Sequence, residues 1–550
     1  MSEPSTSPAS TSDVIDDGAN EFDVIIIGAG ASGMRELLLM REAGRSVRVL
    51  EAGGGVGGTW YWNRYPGARL DSESFSYQYS FSDELLEEWD WKEMFAGQPE
   101  LEQYFNRVAD KFDLRKDIEF NTRVARMDFD ETTDHWDLTT VDGRHFRAKL
   151  VIAATGVLSA PQFPKIPGIE TFEGEWYHTG LWPDEDVDFA GKKVVVIGTG
   201  ASGVQVITEI GKTAQHLTVF QRTPNWAVPL RNTPFDDAKM AEIRQNYPAI
   251  FERMSGTFSG FLHDWDPVAS TDVSVEERNA RFESAWNAPG FAKWTGMYHD
   301  IASDPEANRI YCEFLADKIR GRVDDPKTAE MLIPKDHLFG TKRVPCETNY
   351  YETYNRDNVE LISLAENPIE SFSATGLVTA QGNIDADIIV FATGFEAFTG
   401  ALNRIDIHGA GGTTLREKWE DGPCTYLGIQ VSGFPNFFIM GGPHGKGGHG
   451  NSLRCSERVL EWMARLTTHV FDNNISRVEA DPAAEDEWTD HVYEEASKGL
   501  AANTNTKSYV FGETIPGKRR IYLAYVGSLP EFVERLSKIE NDGYTGFILR

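Results

Sequence analysis

Two glycine-rich turns, each between a strand and a helix, constrain this chain more than any other feature. The first follows the apolar run Phe22–Ile27 and reads Gly28-Ala29-Gly30-Ala31-Ser32-Gly33. A helical stretch to about Ala43, a second apolar run at Val47–Leu50 and the acidic Glu51 complete the unit. In dinucleotide sites such glycines let the backbone approach a pyrophosphate, and the acidic residue binds ribose hydroxyls. A turn without function is the alternative, but the complete βαβ pattern favours a Rossmann-like unit.

The second turn repeats the first but differs in the residues that follow it. It lies within the run from Lys193 and reads Gly198-Thr199-Gly200-Ala201-Ser202-Gly203. The next strand, Leu217–Phe220, ends in Gln221-Arg222-Thr223, without a carboxylate. An arginine there suits a 2′-phosphate, so we predict FAD at the first turn and NADPH at the second. The alternative for Arg222 is an ordinary surface charge.

Two further strands end in the same tripeptide and indicate how the chain is divided. Leu150–Ile152 runs into Ala154-Thr155-Gly156, and Ile388–Phe391 runs into Ala392-Thr393-Gly394. These resemble the junctions at which two-dinucleotide flavoproteins pass between their FAD and NADPH domains. We predict an α/β fold with two Rossmann-like dinucleotide-binding domains and a helical insertion. The predicted parts are a disordered tail at 1–20, a discontinuous FAD domain at 21–155 and 388–550, an NADPH domain at 156–234 and 334–387, and the insertion at 235–333.

Composition narrows the possible partners. A formal charge of −32 argues against nucleic acid and anionic membranes, because phosphate binding needs a basic patch. No apolar run approaches the roughly 20 residues of a membrane span, and the N-terminus lacks a signal-peptide layout. The four cysteines form no C-x-x-C pair, so we predict no metal site and no redox disulfide. We expect a cytoplasmic protein, a monomer or weak oligomer, that acts on small molecules.

Two long spaced patterns are far more specific than the glycine turns. One has the spacing F-x-G-x-x-x-H-x-x-x-W-P and consists of Phe172, Gly174, His178, Trp182 and Pro183. The other is the continuous run from Gly57 to Asp71, which includes Gly58, Thr59 and Trp60. Patterns of Trp, His, Pro and Asp at fixed spacing seldom recur by chance, so they can identify a family.

With these residues the chain resembles the type I Baeyer-Villiger monooxygenases, the group of phenylacetone, steroid and cyclohexanone monooxygenases. The resemblance runs from Phe22 to Arg550 and includes three further segments, Gly340–Arg343, Tyr350–Val359 and Ile515–Lys518. It implies an FAD enzyme that uses NADPH and O2 to oxidise ketones to esters or lactones. The implied route passes through a flavin 4a-peroxide that an arginine stabilises.

The resemblance also assigns roles by position. Arg343 matches the catalytic arginine beside the flavin, and Asp71 matches the carboxylate that pairs with it. Lys342 matches a lysine that holds the 2′-phosphate together with Arg222, and His178 lies in a fingerprint that controls domain movement. The resemblance implies that the glycine-turn residues, Glu51 and a further set bind the cofactors; that set is Gly58, Thr59, Trp60, Asp71, Tyr77, Thr199, Ser202, Thr223 and Tyr509. As alternatives, Asp71 is a simple turn residue and Lys342 a solvated charge.

Some features depart from the family pattern. Tyr509 stands where relatives usually have a tryptophan. The loop Gly441–Gly450 is rich in glycine and carries His444, Lys446 and His449, which form either flexible backbone or the lining of a ligand pocket. The pair Arg35-Glu36 is charged where relatives are apolar. Two other functions remain open: a flavin monooxygenase that oxidises nitrogen or sulfur, and a flavin redox sensor without oxygenation.

Overall fold

The computed structural model describes residues 20–446, 450–504, 506–512 and 520–550. All but one residue of the predicted disordered tail lie outside these ranges, as do His449 and Ile515–Lys518. The strands are β1 Glu21–Ile27, β2 Val47–Leu50, β3 Ile118–Glu119, β4 Val124–Asp130, β5 His135–Thr140, β6 His145–Ala153, β7 Glu175–His178, β8 Lys193–Ile197, β9 His216–Gln221, β10 Val228–Pro229, β11 Cys346–Glu347, β12 Val359–Ser363, β13 Ile369–Ser373, β14 Gly376–Thr379, β15 Gly382–Asp385, β16 Ile388–Phe391, β17 Asp406–His408, β18 Phe437–Ile439, β19 Val478–Ala480 and β20 Phe547–Leu549.

The helices connect these strands and cover the faces of the sheets. They are α1 Ala31–Glu42, α2 Thr59–Trp62, α3 Asp83–Glu88, α4 Gln98–Lys111, α5 Ala201–Thr213, α6 Asp237–Gly256, α7 Val275–Asn287, α8 Pro305–Arg320, α9 Pro326–Leu332, α10 Tyr350–Thr353, α11 Leu415–Lys418, α12 Ser452–Asp472, α13 Pro482–Ser497 and α14 Leu529–Asn541. Both α1 and α5 begin directly after a glycine turn, as the sequence pattern predicts.

The first sheet contains the first glycine turn. Its strand order is β17-β4-β5-β6-β1-β2-β3, and β18 also pairs with β6. Strand β1 is parallel to β2 and β6, whereas β4, β5 and β6 form an antiparallel meander. Val24 and Ile26 of β1 belong to the same apolar core as residues of α1 and α12, while Ile25 and Ile27 belong to a second core on the opposite face. A strand buried on both faces explains why this run is continuously apolar.

The second sheet is entirely parallel, with the order β12-β9-β8-β16-β7. Strand β16 pairs with both β8 and β7, so Ile388–Phe391 belongs to the sheet of the second glycine turn. The predicted boundary, which started the returning FAD domain at residue 388, is therefore wrong by at least four residues. The physical reason is that β16 fills the gap between two strands that precede it in the chain, and local sequence does not record such pairing.

The predicted insertion at 235–333 holds the four helices α6 to α9. Two short turns of 3-10 helix, Gly290–Lys293 and His299–Ala302, lie between α7 and α8. Phe282, Phe291 and Tyr311 from this stretch lie in one apolar core with Val194 and Val196 of β8. Helices α7 to α9 therefore pack against the second unit, whereas Met240, Ile243 and Tyr247 of α6 lie in the core of the first unit.

The described residues give three findings that bear on function class. None of their helices is both long and apolar enough to cross a membrane. They contain no cluster of three or more His, Cys, Asp or Glu side chains that could hold a metal ion. Finally, Cys312, Cys346, Cys424 and Cys455 are all free thiols.

Candidate active site

The first glycine turn is shaped by contacts that exclude a side chain. Gly28 has φ of 105°, and a Cβ added there would lie 2.7 Å from the carbonyl oxygen of Ala154. A Cβ on Gly33 would overlap the carbonyl oxygen of Gly28. The turn thus packs directly on the tripeptide that ends β6, and only glycine fits at both positions. Helix α1 starts behind it, so its free N–H groups face the space where an anionic ligand would lie.

Glu51 is turned into this same glycine loop. Its carboxylate accepts hydrogen bonds from the backbone N–H groups of Ala29 and Gly53, both at 2.6 Å. The side chain is buried. Burial raises its pKa, and the two backbone hydrogen bonds lower it by less, so the net shift is upward. Each carboxylate oxygen has lone-pair capacity beyond one donor, so Glu51 can also accept hydroxyl groups from a ligand.

A cavity of about 550 Å³ extends from this turn towards the run from Gly57 to Asp71. The predicted cofactor residues that line it are Gly28, Gly30, Ser32, Glu51, Gly58, Thr59, Trp60 and Tyr77. Gly30 and Gly58 approach each other closely, because a Cβ on Gly58 would lie 2.9 Å from Cα of Gly30. The predicted first site is therefore one continuous space, and its residues fit a dinucleotide.

Sequence reasoning missed several residues that line the same cavity. Arg123 precedes β4 and interacts electrostatically with Glu51. Arg404 reaches across from the other side and donates to the carbonyl oxygen of Pro161 at 2.9 Å. Neither residue belongs to a sequence motif. The pairing of strands that are distant in the chain brings both residues to this cavity. A basic residue beside a strand end is the only signal that could have suggested Arg123.

The second glycine turn repeats the geometry of the first. Gly198 has φ of 112°, and a Cβ there would overlap the carbonyl oxygen of Ala392, just as Gly28 meets Ala154. Gly203 packs on Gly198 in the same way as Gly33 packs on Gly28. Gly200, in contrast, is exposed and has nothing within 4 Å of an added Cβ. The second turn is therefore open to solvent where the first is enclosed.

Polar side chains connect the second turn to its surroundings. Thr199 Oγ1 donates to the carbonyl oxygen of Thr223 at 3.2 Å, and Ser202 Oγ lies 3.2 Å from Thr179 Oγ1 beside β7. Arg222 follows β9 and is exposed. Lys342 is mostly covered, and burial lowers its pKa, as does the nearby Arg222. Arg222, at the end of β9, interacts electrostatically with Lys342 in a loop distant in the chain. Two neighbouring cations of this kind are suited to hold a phosphate group.

Arg343 and Asp71 form an ion pair, as the resemblance implies. Arg343 Nη1 donates to Asp71 Oδ2 and also to the carbonyl oxygen of Val344 at 3.0 Å. The same Asp71 oxygen accepts the backbone N–H of Cys346 at 3.2 Å. Burial lowers the pKa of Arg343, but Asp71, together with Cys346 and Tyr509, outweighs it, so the net shift is upward and the guanidinium stays charged. Asp71 Oδ1 is buried and lacks a hydrogen-bond partner among the described residues.

Arg343 lies where two cavities meet. It lines the dinucleotide cavity and also a second cavity of about 580 Å³, and Trp60 and Tyr77 line both as well. The second cavity has walls rich in aromatic side chains, namely Phe258, Phe261, Trp265, Phe291, Trp294, Tyr509 and Tyr522. Phe291 lies beside the guanidinium, with Arg343 Cζ 5.6 Å from its ring centre. A fixed positive charge thus faces a space lined largely by aromatic side chains.

The Phe172 fingerprint is structural in this arrangement. Gly174 lies against the ring of Phe172 and the backbone of Asp387, which leaves no room for a side chain. His178 is buried and accepts the backbone N–H of Gly180 at Nδ1, 2.9 Å away, and burial lowers its pKa to about 4. It is therefore a neutral imidazole at physiological pH and a poor candidate for proton transfer.

The two fingerprints lie side by side and join the two units. Trp182, followed by Pro183, donates its backbone N–H to the carbonyl oxygen of Trp62 at 3.3 Å. In the other direction, Tyr65 donates to Gln205 Oε1 of α5 at 2.8 Å. The run from Gly57 to Asp71 therefore extends from the first cavity to the helix behind the second glycine turn.

The glycine-rich loop is anchored where the structure describes it. His444 is fully buried and contacts the carbonyl oxygen of Tyr522 through Nε2 at 3.0 Å. Lys446 is also buried and donates to the carbonyl oxygen of Gly527. Neither side chain lines either cavity. The prediction that these two side chains line a ligand pocket is therefore wrong for both cavities, because they hold the loop to the C-terminal segment.

Comparisons with known proteins agree with this geometry. Residues 25–236 match the family described as pyridine nucleotide-disulphide oxidoreductase. A 2-oxo-Δ3-4,5,5-trimethylcyclopentenylacetyl-CoA monooxygenase from Pseudomonas putida is 45% identical over 96% of this chain and 98% of its own. A Baeyer-Villiger monooxygenase from Pseudooceanicola batsensis is 40% identical over 96% of both chains.

Other relatives broaden the picture. A phenazine N-monooxygenase from Lysobacter antibioticus is 41% identical over 98% of both chains. A crystal structure of OTEMO in complex with FAD and NADP superposes with a TM-score of 0.93, at 44% identity, over 96% of this chain and 99% of the other. Similarity of this extent along the whole length shows common architecture and common descent. The chain belongs to the Baeyer-Villiger monooxygenase family.

Proposed function

We propose that Arg343 is the reaction centre of an enzyme that uses NADPH and O2 to convert ketones into esters or lactones. The observation that carries the proposal is its position. The guanidinium pairs with the buried Asp71 and borders both the dinucleotide cavity and the aromatic cavity. One fixed charge therefore faces a cofactor on one side and a substrate on the other.

The first unit is the proposed FAD site. The glycine turn and the N-terminus of α1 would hold the pyrophosphate, and Glu51 would accept ribose hydroxyls. Thr59, Trp60 and Tyr77 line the path from there towards Arg343. A bound flavin would pass two electrons from NADPH to O2, so that one oxygen atom could be inserted beside the ketone carbonyl and the other released as water.

The second unit is the proposed NADPH site. Its exposed turn admits a ligand that enters and leaves in each cycle, and Arg222 and Lys342 would hold the 2′-phosphate. Thr199 and Ser202 have hydroxyl groups at the turn itself. Because NADH lacks the phosphate, these two cations would contact only NADPH.

Arg343 would stabilise the negative charge on the transferred oxygen and on the carbonyl oxygen under attack. Arginine suits this role because it stays charged when buried, whereas a lysine there can lose its proton. Asp71 fixes the orientation of the guanidinium and offsets part of the cost of burying it. A substrate that packs against the aromatic walls would displace water, which otherwise weakens the interaction.

The aromatic cavity favours a ketone with an apolar body. Its walls are rich in aromatic rings, and Arg343 lies beside Phe291 and interacts electrostatically with Tyr509. A cavity of about 580 Å³ has room for a ring or a short chain beside the reacting carbonyl. We therefore propose cyclic and linear apolar ketones as the first substrates to test.

Oxidation of nitrogen is the second candidate, because a relative of comparable similarity is a phenazine N-monooxygenase. NADPH consumption, oxygen uptake and products should be measured together with linear, cyclic and aryl ketones, a phenazine and a thioether. We expect esters or lactones in proportion to NADPH. If only N-oxides or sulfoxides form, the ketone assignment fails, and if no oxygen is consumed, the protein is a redox sensor.

We further propose that the protein works in the cytoplasm as a monomer or weak oligomer. Its four free cysteines are typical of a reducing compartment. The catalytic arginine, its carboxylate and both cavities come from one chain, so no second copy is required to complete the site. Size-exclusion chromatography with light scattering tests the oligomeric state.

A further inference from the structure

The loop that carries Lys342 contains a second charged group that the roles above do not use. Asp336 Oδ2 lies 3.6 Å from Lys342 Nζ, and this is the ion pair that the structure shows for that lysine. The spacing is too long for a hydrogen bond, so the attraction is loose. About half of the Asp336 side chain is exposed, whereas Lys342 is mostly covered. The lysine proposed to bind the 2′-phosphate therefore has an anionic partner within the protein.

Asp336 is held where it is. Its other oxygen, Oδ1, accepts from His337 Nδ1 at 2.7 Å. The His337 side chain is almost fully buried, and its backbone carbonyl accepts the indole N–H of Trp226 at 3.1 Å. Burial, together with the charge of Lys342, lowers the pKa of His337 to about 4, so the ring is neutral. Its single ring N–H, at Nδ1, donates to Asp336. The carboxylate cannot simply rotate away from Lys342.

The same loop is tied to the end of β9, which carries Arg222. The contact is made by helix α9, which directly precedes the loop: Gln221 Nε2 donates to the carbonyl oxygen of Met331 at 2.7 Å. The positive charge of Arg222 also lowers the pKa of Lys342. Asp336, Lys342 and Arg222 therefore form one electrostatic group at the mouth of the proposed NADPH site.

We propose that Asp336 competes with the 2′-phosphate of NADPH for Lys342 and so sets how tightly the enzyme holds this cofactor. The inference rests on the proposed NADPH site. Lys342 is paired with Asp336, and a 2′-phosphate that binds Lys342 would replace this partner and be repelled by its carboxylate. The carboxylate weakens binding of NADPH and NADP+ and does nothing to a dinucleotide without the phosphate. It is a positioning residue that favours release of NADP+ over retention.

The test compares Asp336→Asn, Lys342→Ala and the double variant, each with FAD bound. Calorimetric titrations with NADP+, NAD+ and adenosine 2′,5′-bisphosphate report binding without turnover. Removal of one carboxylate near a doubly charged phosphate should tighten NADP+ binding about threefold to tenfold. NAD+ should change less than about twofold. In the Lys342→Ala background the gain from Asp336→Asn should shrink, because the competition is lost.

Asp317→Asn is the matched control, since it makes the same charge change and breaks a similar ion pair, with Arg320, on the outside of α8. It should leave all three affinities unchanged. If Lys342→Ala weakens NADP+ binding but Asp336→Asn fails to tighten it, the competition is refuted and the phosphate site stands. If Lys342→Ala leaves NADP+ binding unchanged, the phosphate site itself is wrong and the competition with it.

Discussion

The two dinucleotide units share a backbone pattern but differ in the residue that follows the second strand of each unit. Pairing in the sheets aligns Ile27 with Leu50 and Ile197 with Phe220, so Glu51 and Gln221 occupy equivalent places after β2 and β9. Glu51 turns back into its own glycine loop, whereas Gln221 turns away and binds the backbone of Met331. The first turn is thereby closed by a carboxylate, and the second is left open beside Arg222.

This difference suggests two kinds of cofactor use on one architecture. A site closed by its own carboxylate suits a ligand that stays bound, and an open cationic site suits one that exchanges. The helices behind the turns differ as well. Glu36 of α1 and Val206 of α5 are matched positions, both fully buried, and only the first carries a charge-bearing group.

The largest effect is expected where the two units meet. Arg343→Ala removes a fixed cation from an apolar site, which costs roughly 3 kcal/mol or more of transition-state stabilisation, a hundredfold or greater fall in kcat for ketone oxidation. Arg343→Lys should recover only part of the rate, because one ammonium cannot replace the planar fork. Anaerobic bleaching of the flavin by NADPH should persist in both variants, which shows that they fold and bind cofactor.

Glu51→Gln tests whether the closed turn retains FAD. The amide can accept only one of the two backbone N–H groups, and its own N–H atoms then face a donor. Loss of charge-assisted hydrogen bonds worth about 1.5 to 3 kcal/mol should weaken FAD binding roughly tenfold to a hundredfold. The measurement is FAD release on dilution, followed by flavin fluorescence. Unchanged retention would mean that the carboxylate does not contact the ribose.

Arg222→Ala tests the open turn in the same way. Loss of one charge-assisted contact to the 2′-phosphate should raise the KM for NADPH about tenfold or more and leave that for NADH nearly unchanged. Lys239→Ala, an exposed lysine at the start of α6, is a control for loss of a surface charge. Equal use of NADPH and NADH by the wild type would remove the distinction between the two sites.

Glu36→Gln should have the smallest effect on the reaction and a clear effect on stability. Burial raises the pKa of Glu36 to about 8, although Arg35 lowers it in part. A raised carboxyl pKa favours the protonated folded form, so stability is lost as pH rises from about 4.5 to 8. The wild type should lose roughly 2 to 4 kcal/mol more than Glu36→Gln between pH 5 and pH 8. The measurement is thermal unfolding of the wild type and of Glu36→Gln at both pH values. If both proteins lose the same stability between pH 5 and pH 8, the raised pKa of Glu36 is wrong.

Much of this architecture could be predicted from local sequence. Glycines at Gly28 and Gly198 are required by backbone contacts with Ala154 and Ala392, so motif and structure report the same constraint. The α/β class with two Rossmann-like units and the family are confirmed by the fold and by the relatives. These features depend on short-range spacing, which a sequence displays directly.

What local sequence could not predict depends on contacts between distant segments. The membership of β16 in the second sheet, the arrival of Arg123 and Arg404 in the first cavity and the burial of His444 all arise from long-range pairing. Arg35 and Glu36 are a further case. Arg35 stacks on Phe81, with Cζ 4.2 Å from the ring centre, so an aromatic partner 46 positions away makes its burial tolerable.

The fate of oxygen in Arg343→Ala tests the central claim most directly. NADPH consumed, hydrogen peroxide released and ester formed should be measured in one reaction with a ketone that the wild type converts. If Arg343 directs the activated oxygen onto the carbonyl, nearly all the NADPH consumed by the variant will appear as hydrogen peroxide and almost none as ester. Ester formation that remains coupled to NADPH at near-normal rate would show that the reaction centre lies elsewhere.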